Sequence, residues 1–198
     1  MGVDKLSLPW GKRTLLEHCL GTLLRSKIKE VIVVLNDRTK GRIPPLQGQK
    51  VKIVINPNYK KGMSTSIRRG LQAVDPKSQG ILIAMGDQPL LKTKTINALI
   101  QTFEEGKGDI IIPNYRGRQG HPVLFHRKFE KAFKEIKGDV GGRSIIKKYH
   151  KSVREVRVRS EGVVKDIDLW EDYKKELGRR HRPFREIFKN QAGELDEV

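Results

Sequence analysis

Two groups of acidic residues stand just beyond apolar runs, where a buried chain would emerge into solvent. In "ILIAMGDQPLL", residues Ile81 to Leu91, the run breaks at Gly86 and delivers the carboxylate of Asp87, followed by Gln88 and Pro89. In "VVKDIDLWEDY", residues Val163 to Tyr173, Asp166 and Asp168 follow a shorter apolar stretch. A hard cation such as Mg²⁺ takes oxygen ligands, and is usually held by one or two carboxylates together with substrate phosphates. Asp87 and Asp168 could supply such a pair if their segments are neighbours in the fold. The competing reading makes Asp87 a turn cap and the second group the acids that commonly open a helix.

Three further segments carry polar groups suited to ligands. "NPNYKKGMSTSIRRG", Asn56 to Gly70, passes Gly62 and enters a helix through Ser64, Thr65 and Ser66. Backbone amides there, with the hydroxyls and with Arg68 and Arg69, form an anion pocket, although capping by Ser64 explains the pattern equally well. "KGDVGGR", Lys137 to Arg143, is another glycine-rich turn opening a helix. In "YRGRQGHPVLF", Gly120 and His121 precede a strand, a place where a lone histidine is usually structural.

These groups need a scaffold, and the hydropathy pattern describes one. Strands rich in Val and Ile are predicted at Val31 to Asn36, Val51 to Asn56, Ile81 to Met85, Asp109 to Pro113 and His121 to Phe125. Several are apolar throughout, which predicts a mainly parallel sheet covered on both faces. Between them, Leu15, Leu16, Cys19, Leu20, Leu23, Leu24 and Ile28 recur at helical spacing, as do Ile67, Leu71 and Val74, then Ile96, Leu99, Ile100 and Phe103. Gly106 is placed to stop the last of these helices. Strands alternating with helices imply βαβ units in a layered α/β domain, whose ligands gather outside the carboxyl ends of the strands. Asp87 is therefore predicted at the mouth of a site.

Composition narrows the class. The chain has 198 residues, enough for one domain, with 41 Lys and Arg against 23 Asp and Glu and a net charge of +18. Such a field attracts polyanions. A dedicated nucleic-acid module is disfavoured, because only 6% of residues are aromatic, the basic residues are dispersed, and no zinc spacing or helix-turn-helix signature is present. No apolar stretch approaches membrane-spanning length, and "MGVDKLSLPWGKR" lacks a secretory pattern, so the expected location is the cytoplasm. Cys19 reads as a small buried hydrophobe. From Gly178 the composition turns strongly charged, so residues 178–198 are expected to form a tail beyond a domain spanning residues 1–177.

Taken in order, "MGVDKLSLPWGKRTLLEH", "NPNYKKGMSTSIRRGL", "MGDQPLL", "PNYRGRQGHPVLF", "GDVGGR" and "VVKDIDLWEDY" resemble the molybdenum cofactor cytidylyltransferase family, within the wider group of nucleotidyltransferases similar to the guanylyltransferase of the same pathway. The resemblance covers roughly residues 1–177 and implies a three-layer, Rossmann-like α/β fold with a mainly parallel sheet. It implies an Mg²⁺-dependent enzyme that transfers CMP from CTP to the phosphate of the molybdopterin cofactor and releases pyrophosphate. By the same resemblance Asp87 and Asp168 are the metal-binding carboxylates, and Lys5, the lysine closing the phosphate loop, joins them as a catalytic residue. Gly2, Lys5, Asn56, Gly62, Ser64 and Asp87 fall on the nucleotide side. Ser66, Gln88, Pro89, Gly120, His121 and Arg143 fall on the acceptor side. A molybdenum hydroxylase or its maturation chaperone is the expected partner.

One departure from the family is visible. Its signature begins with a buried strand and a loop of the form L-A-A-G-x-S-x-R-M-G-x-x-K, of which Met1, Gly2 and Lys5 match the end. The expectation is a natural product that starts upstream of Met1, with nucleotide affinity severely reduced if it does not. Two alternatives share the pattern: a transferase for another phosphorylated acceptor, such as a sugar phosphate or phospholactate, and an inactive relative that delivers cofactor.

Overall fold

A computed structural model of the protein describes residues 5–37, 39 and 50–180. The chain enters through a short antiparallel hairpin, β1 (Pro9–Trp10) and β2 (Arg13–Thr14), which leads directly into α1 (Leu15–Leu24). Thr14 opens this helix with a reciprocal cap: its hydroxyl accepts from the Glu17 amide, and the Glu17 carboxylate accepts from the Thr14 amide. The helix ends at Leu24 although the apolar pattern runs on to Ile28, because Ile28 packs from the loop beyond the cap. Next come β3 (Val31–Leu35) and β4 (Val51–Ile55), paired in parallel. On β3, Val31, Val33 and Leu35 point inward onto Leu16 and Leu20 of α1.

After α2 (Met63–Leu71) the chain builds its larger sheet. Strand β5 (Gly80–Ile83) precedes α3 (Thr93–Glu104), which ends just before Gly106, a residue at φ 67°. Strand β6 (Ile110–Tyr115) turns through the short β7 (Arg118–Gln119) into β8 (Val123–His126). Helices α4 (Glu130–Glu135) and α5 (Arg143–Lys148), strand β9 (Val153–Arg157) and helix α6 (Trp170–Arg180) complete the described chain. In this sheet β8 lies between β5 and β6 and is antiparallel to both, while β9 runs parallel to β6. Strands β5, β6 and β9 thus share one direction, with β8 and the short β7 reversed; with the parallel β3–β4 pair the architecture is mainly parallel.

Alternation along the strands explains the layers. In register, Leu82, Leu124 and Ile111 form a row on one face, where Leu99, Ile100 and Phe103 of α3 cover them. The next row, Ile81, Phe125 and Ile110, faces the opposite side and packs on Ile67 and Leu71 of α2, Phe133 of α4 and Ile145 of α5. Both faces are apolar because both are covered, the pattern that distinguishes a buried sheet from one with a wet face. Ile110 and Ile111 are fully buried, each contributing about 1.5–3 kcal/mol of transfer free energy. The result is helix, sheet, helix: the predicted three-layer fold.

The two ends of the described chain meet in a separate cluster. Trp10, Leu15 and Cys19 pack against Ile167, Tyr173 and Leu177, and the Tyr173 hydroxyl donates to the Pro9 carbonyl. No helix among the described residues is long and apolar enough to cross a membrane. The charged tail expected from residue 178 begins inside α6 and, beyond Arg180, lies outside the described residues.

Candidate active site

Strand β5 ends at Ile83, two residues earlier than predicted, and the chain then bends through Gly86 to present Asp87. This carboxylate is largely buried, with a side chain 10% exposed, whereas Asp168 is 63% exposed on the opposite lip. A single ammonium joins them. Lys5 Nζ donates to Asp87 Oδ2 at 2.6 Å and to Asp168 Oδ1 at 2.7 Å. Three residues from the start, middle and end of the sequence therefore converge at one point. Burial works to lower the Lys5 pKa, but its hydrogen bonds to Asp168 and Asp87 outweigh that and raise it above the ordinary lysine value.

Backbone contacts hold the lips in place. The Ile167 amide donates to the Asp87 carbonyl at 3.0 Å, and the His121 amide donates to the Val163 carbonyl at 2.7 Å. Two glycines permit this lacing. A Cβ on Gly120 would lie 2.1 Å from the Val163 carbonyl oxygen, and one on Gly162 would lie 2.1 Å from that of Leu90. Gly120 is thus required by the close approach of the neighbouring segment.

Behind Asp87, Gln88 is 2% exposed and its Nε2 donates to Asp166 Oδ1 at 2.6 Å. A carboxylate only accepts, so this bond fixes the amide orientation. Pro89 is buried beside it. Asp166 is accordingly the support of Gln88 and not a third member of the carboxylate pair. His121 is held below the ordinary histidine pKa, first by burial and also by Arg143, with Asp166 and Asp87 pulling the other way. Its Nδ1, Gln88 Oε1, Asp87 Oδ1 and Ser64 Oγ are buried without a hydrogen-bond partner. Orphaned buried polar atoms are costly.

The start of α2 differs from its predicted role. Gly62, at φ 99°, turns the chain into the helix, and a Cβ there would lie 2.3 Å from the Gly138 carbonyl carbon. The amides expected to face an anion already have partners: that of Met63 donates to the Asp139 carboxylate at 3.2 Å and that of Ser64 to the Gly138 carbonyl at 3.2 Å. The glycine-rich turn of residues 137–143 supplies an internal anion to this helix end. Arg68 and Arg69 are likewise engaged, donating to the carbonyls of Ile136 and Ile55. Asn56 is 3% exposed; its amide donates to the hydroxyls of Thr65 and Ser66, and its oxygen accepts from the Asn58 amide. Asn56 and Ser66 therefore tie β4 to α2. Ser64, fully buried, is the residue of this group with a hydroxyl left over.

Arg143 opens α5 beside a surface cavity of about 700 Å³ also lined by Gln119, Lys147 and His150. Gly2 lies outside the described residues. The sequence did not announce two pairings. Asp139 caps α2 from a distant turn, and the Gln88 to Asp166 bond links two loops; both are long-range pairings that no local spacing announces.

The donor set suits a hard divalent cation. Asp87 and Asp168 present carboxylate oxygens at the same point, and Asp87 Oδ1 is buried without a partner. Among the described residues, no cluster of three or more His, Cys, Asp or Glu side chains offers a rival site.

Comparison with known proteins gives this geometry its context. The chain is 27% identical to the nicotine blue oxidoreductase of Paenarthrobacter nicotinovorans over 174 residues, 84% of each protein. It is 27% identical to the purine catabolism protein PucB of Bacillus subtilis over 185 residues, 87% of each. It is 28% identical to the molybdenum cofactor cytidylyltransferase of Escherichia coli over 125 residues, 63% of this chain and 62% of that one. Among solved structures, Rv0371c of Mycobacterium tuberculosis in complex with manganese superposes with a TM-score of 0.72 at 25% identity, covering 88% of this chain and 91% of that one. The family described as the MobA-like NTP transferase domain matches residues 1–153, a stretch that includes Lys5 and Asp87 and ends before Asp168, so the protein belongs to the MobA-like NTP transferase family and is a nucleotidyltransferase.

Proposed function

We propose that the protein transfers CMP from CTP to the phosphate of the molybdopterin cofactor and releases pyrophosphate. A phosphate oxygen of the acceptor bonds to the α-phosphorus of the nucleotide while the bond to pyrophosphate breaks. The observation that carries the reading is the meeting of Asp87, Asp168 and Lys5 at one point. Two polyanions must approach each other for this chemistry, so the site needs positive charge where their oxygens crowd together. A divalent cation held by Asp87 and Asp168 would neutralise charge on the reacting phosphate oxygens. Manganese in the complex of Rv0371c supports metal use in this fold.

The chain's own residues do the rest. Lys5 supplies a further positive charge beside the two lips. Arg143, His121 and Gln88 are the residues assigned to the acceptor, Gln88 being held by Asp166. The 28% identity to the cytidylyltransferase of Escherichia coli favours cytidine as the base and molybdopterin as the acceptor. The loaded cofactor would pass to a molybdenum hydroxylase or its maturation chaperone, in the cytoplasm.

The test incubates the full chain with Mg²⁺, molybdopterin and either CTP or GTP, and measures pyrophosphate. CTP is expected to support turnover well above GTP. Turnover with a sugar phosphate or phospholactate and none with molybdopterin would transfer the assignment to that acceptor. Absence of product with every nucleotide would sink the catalytic reading and leave cofactor delivery.

A further inference from the structure

The position best suited to a divalent cation already has a cation in it. Lys5 Nζ takes one oxygen from Asp87 and one from Asp168, at 2.6 Å and 2.7 Å, and so occupies the point on which a metal bound by this pair must sit. An ammonium and a divalent ion cannot share those oxygens. Their like charges repel, and a metal bond of about 2.0–2.1 Å draws the carboxylates closer than an ammonium does. Lys5 is also able to leave. Its side chain is 32% exposed, sits in the short turn Lys5–Ser7, and swings on a flexible four-carbon stem.

We infer that Lys5 is a resident counter-ion that the divalent cation displaces, and that it moves onto the phosphates of the incoming nucleotide. This rests on the reading of Asp87 and Asp168 as the metal pair, and adds an order of loading to it. Without nucleotide, an entering metal must evict an ammonium paired with both carboxylates. With the triphosphate present, the evicted ammonium gains a new partner, so metal and nucleotide assist each other's binding. Lys5 also keeps the two carboxylates from repelling one another while the site waits.

The experiment titrates Mn²⁺ into the full chain without nucleotide, following the electron paramagnetic resonance signal of free Mn²⁺. The wild type, Lys5→Met, Lys5→Arg and Asp87→Asn are compared, with the rise in melting temperature on Mn²⁺ addition as a second readout. Lys5→Met is expected to bind Mn²⁺ about tenfold more tightly than wild type and to gain more thermal stability from it, because the competing ion is gone. Lys5→Arg, which keeps the charge, should bind no more tightly than wild type. Asp87→Asn should lose binding. Equal Mn²⁺ affinity of wild type and Lys5→Met, or tighter binding by Lys5→Arg, overturns the displacement while leaving the metal pair intact. Binding unaffected by Asp87→Asn, or no binding by any protein, overturns both the displacement and the metal pair.

Discussion

Single residues decide whether the site works. Asp87→Asn keeps size and shape but removes half of the carboxylate pair, and should lower the turnover number by on the order of a thousandfold in a pyrophosphate-release assay, with the melting temperature little changed. His121 makes a separate prediction. Burial depresses its pKa in the folded protein, whereas the unfolded chain protonates it near the ordinary value of 6.5. The unfolded state then binds the extra proton, so this contribution to stability is present above pH 6.5 and is lost as pH falls below it. Urea unfolding at pH 7 and pH 5 should show a smaller loss for His121→Gln than for wild type. Cys19 is 5% exposed and its thiol is pushed up to about 12 by burial and the nearby Asp87 charge. It should resist thiol reagents at pH 8 until the protein is denatured. The carboxylates and the buried cysteine were legible because type and position agreed: an acid after an apolar run, a cysteine on an apolar stripe. Lys5 was legible only through family resemblance, since nothing in "MGVDKLS" distinguishes it from forty other basic side chains.

At the scale of elements, glycines separate tight joints from simple turns. Gly62 and Gly106 both adopt positive φ, at 99° and 67°, yet a Cβ on Gly62 would run into the Gly138 backbone whereas one on Gly106 would meet nothing within 4 Å. Gly62→Ala should therefore cost about 2–4 kcal/mol, combining backbone strain with a clash, and Gly106→Ala only about 1 kcal/mol. Thermal melts of the two variants check the difference. The clash would also displace Asp139 from the start of α2. Strands β3, β4, β5 and β6 were legible as Val- and Ile-rich runs, and α3 as a stripe closed by Gly106. The reversal of β8 was not, because an apolar run records that both faces are covered and says nothing about which way the chain travels. Strand β9, "VREVR", escaped prediction since most of its side chains are exposed and its pairing with β6 is made by the backbone.

For the whole molecule, the net charge of +18 sets the approach of anionic substrates. Raising ionic strength from about 0.05 M to about 0.5 M shortens the screening length several-fold and should raise KM for the nucleotide while leaving kcat nearly constant. Initial rates across a salt series test this. The packing of Trp10 and Leu15 on Tyr173 and Leu177 has a consequence of another kind. Lys5 waits for Asp168, which lies 163 positions later. At ordinary speeds of translation that is a delay on the order of ten seconds after Lys5 is made. During that interval the nascent chain carries an uncovered indole and no working catalytic centre, so a ribosome that stalls before α6 releases a sticky, inert fragment for chaperones or proteases to collect.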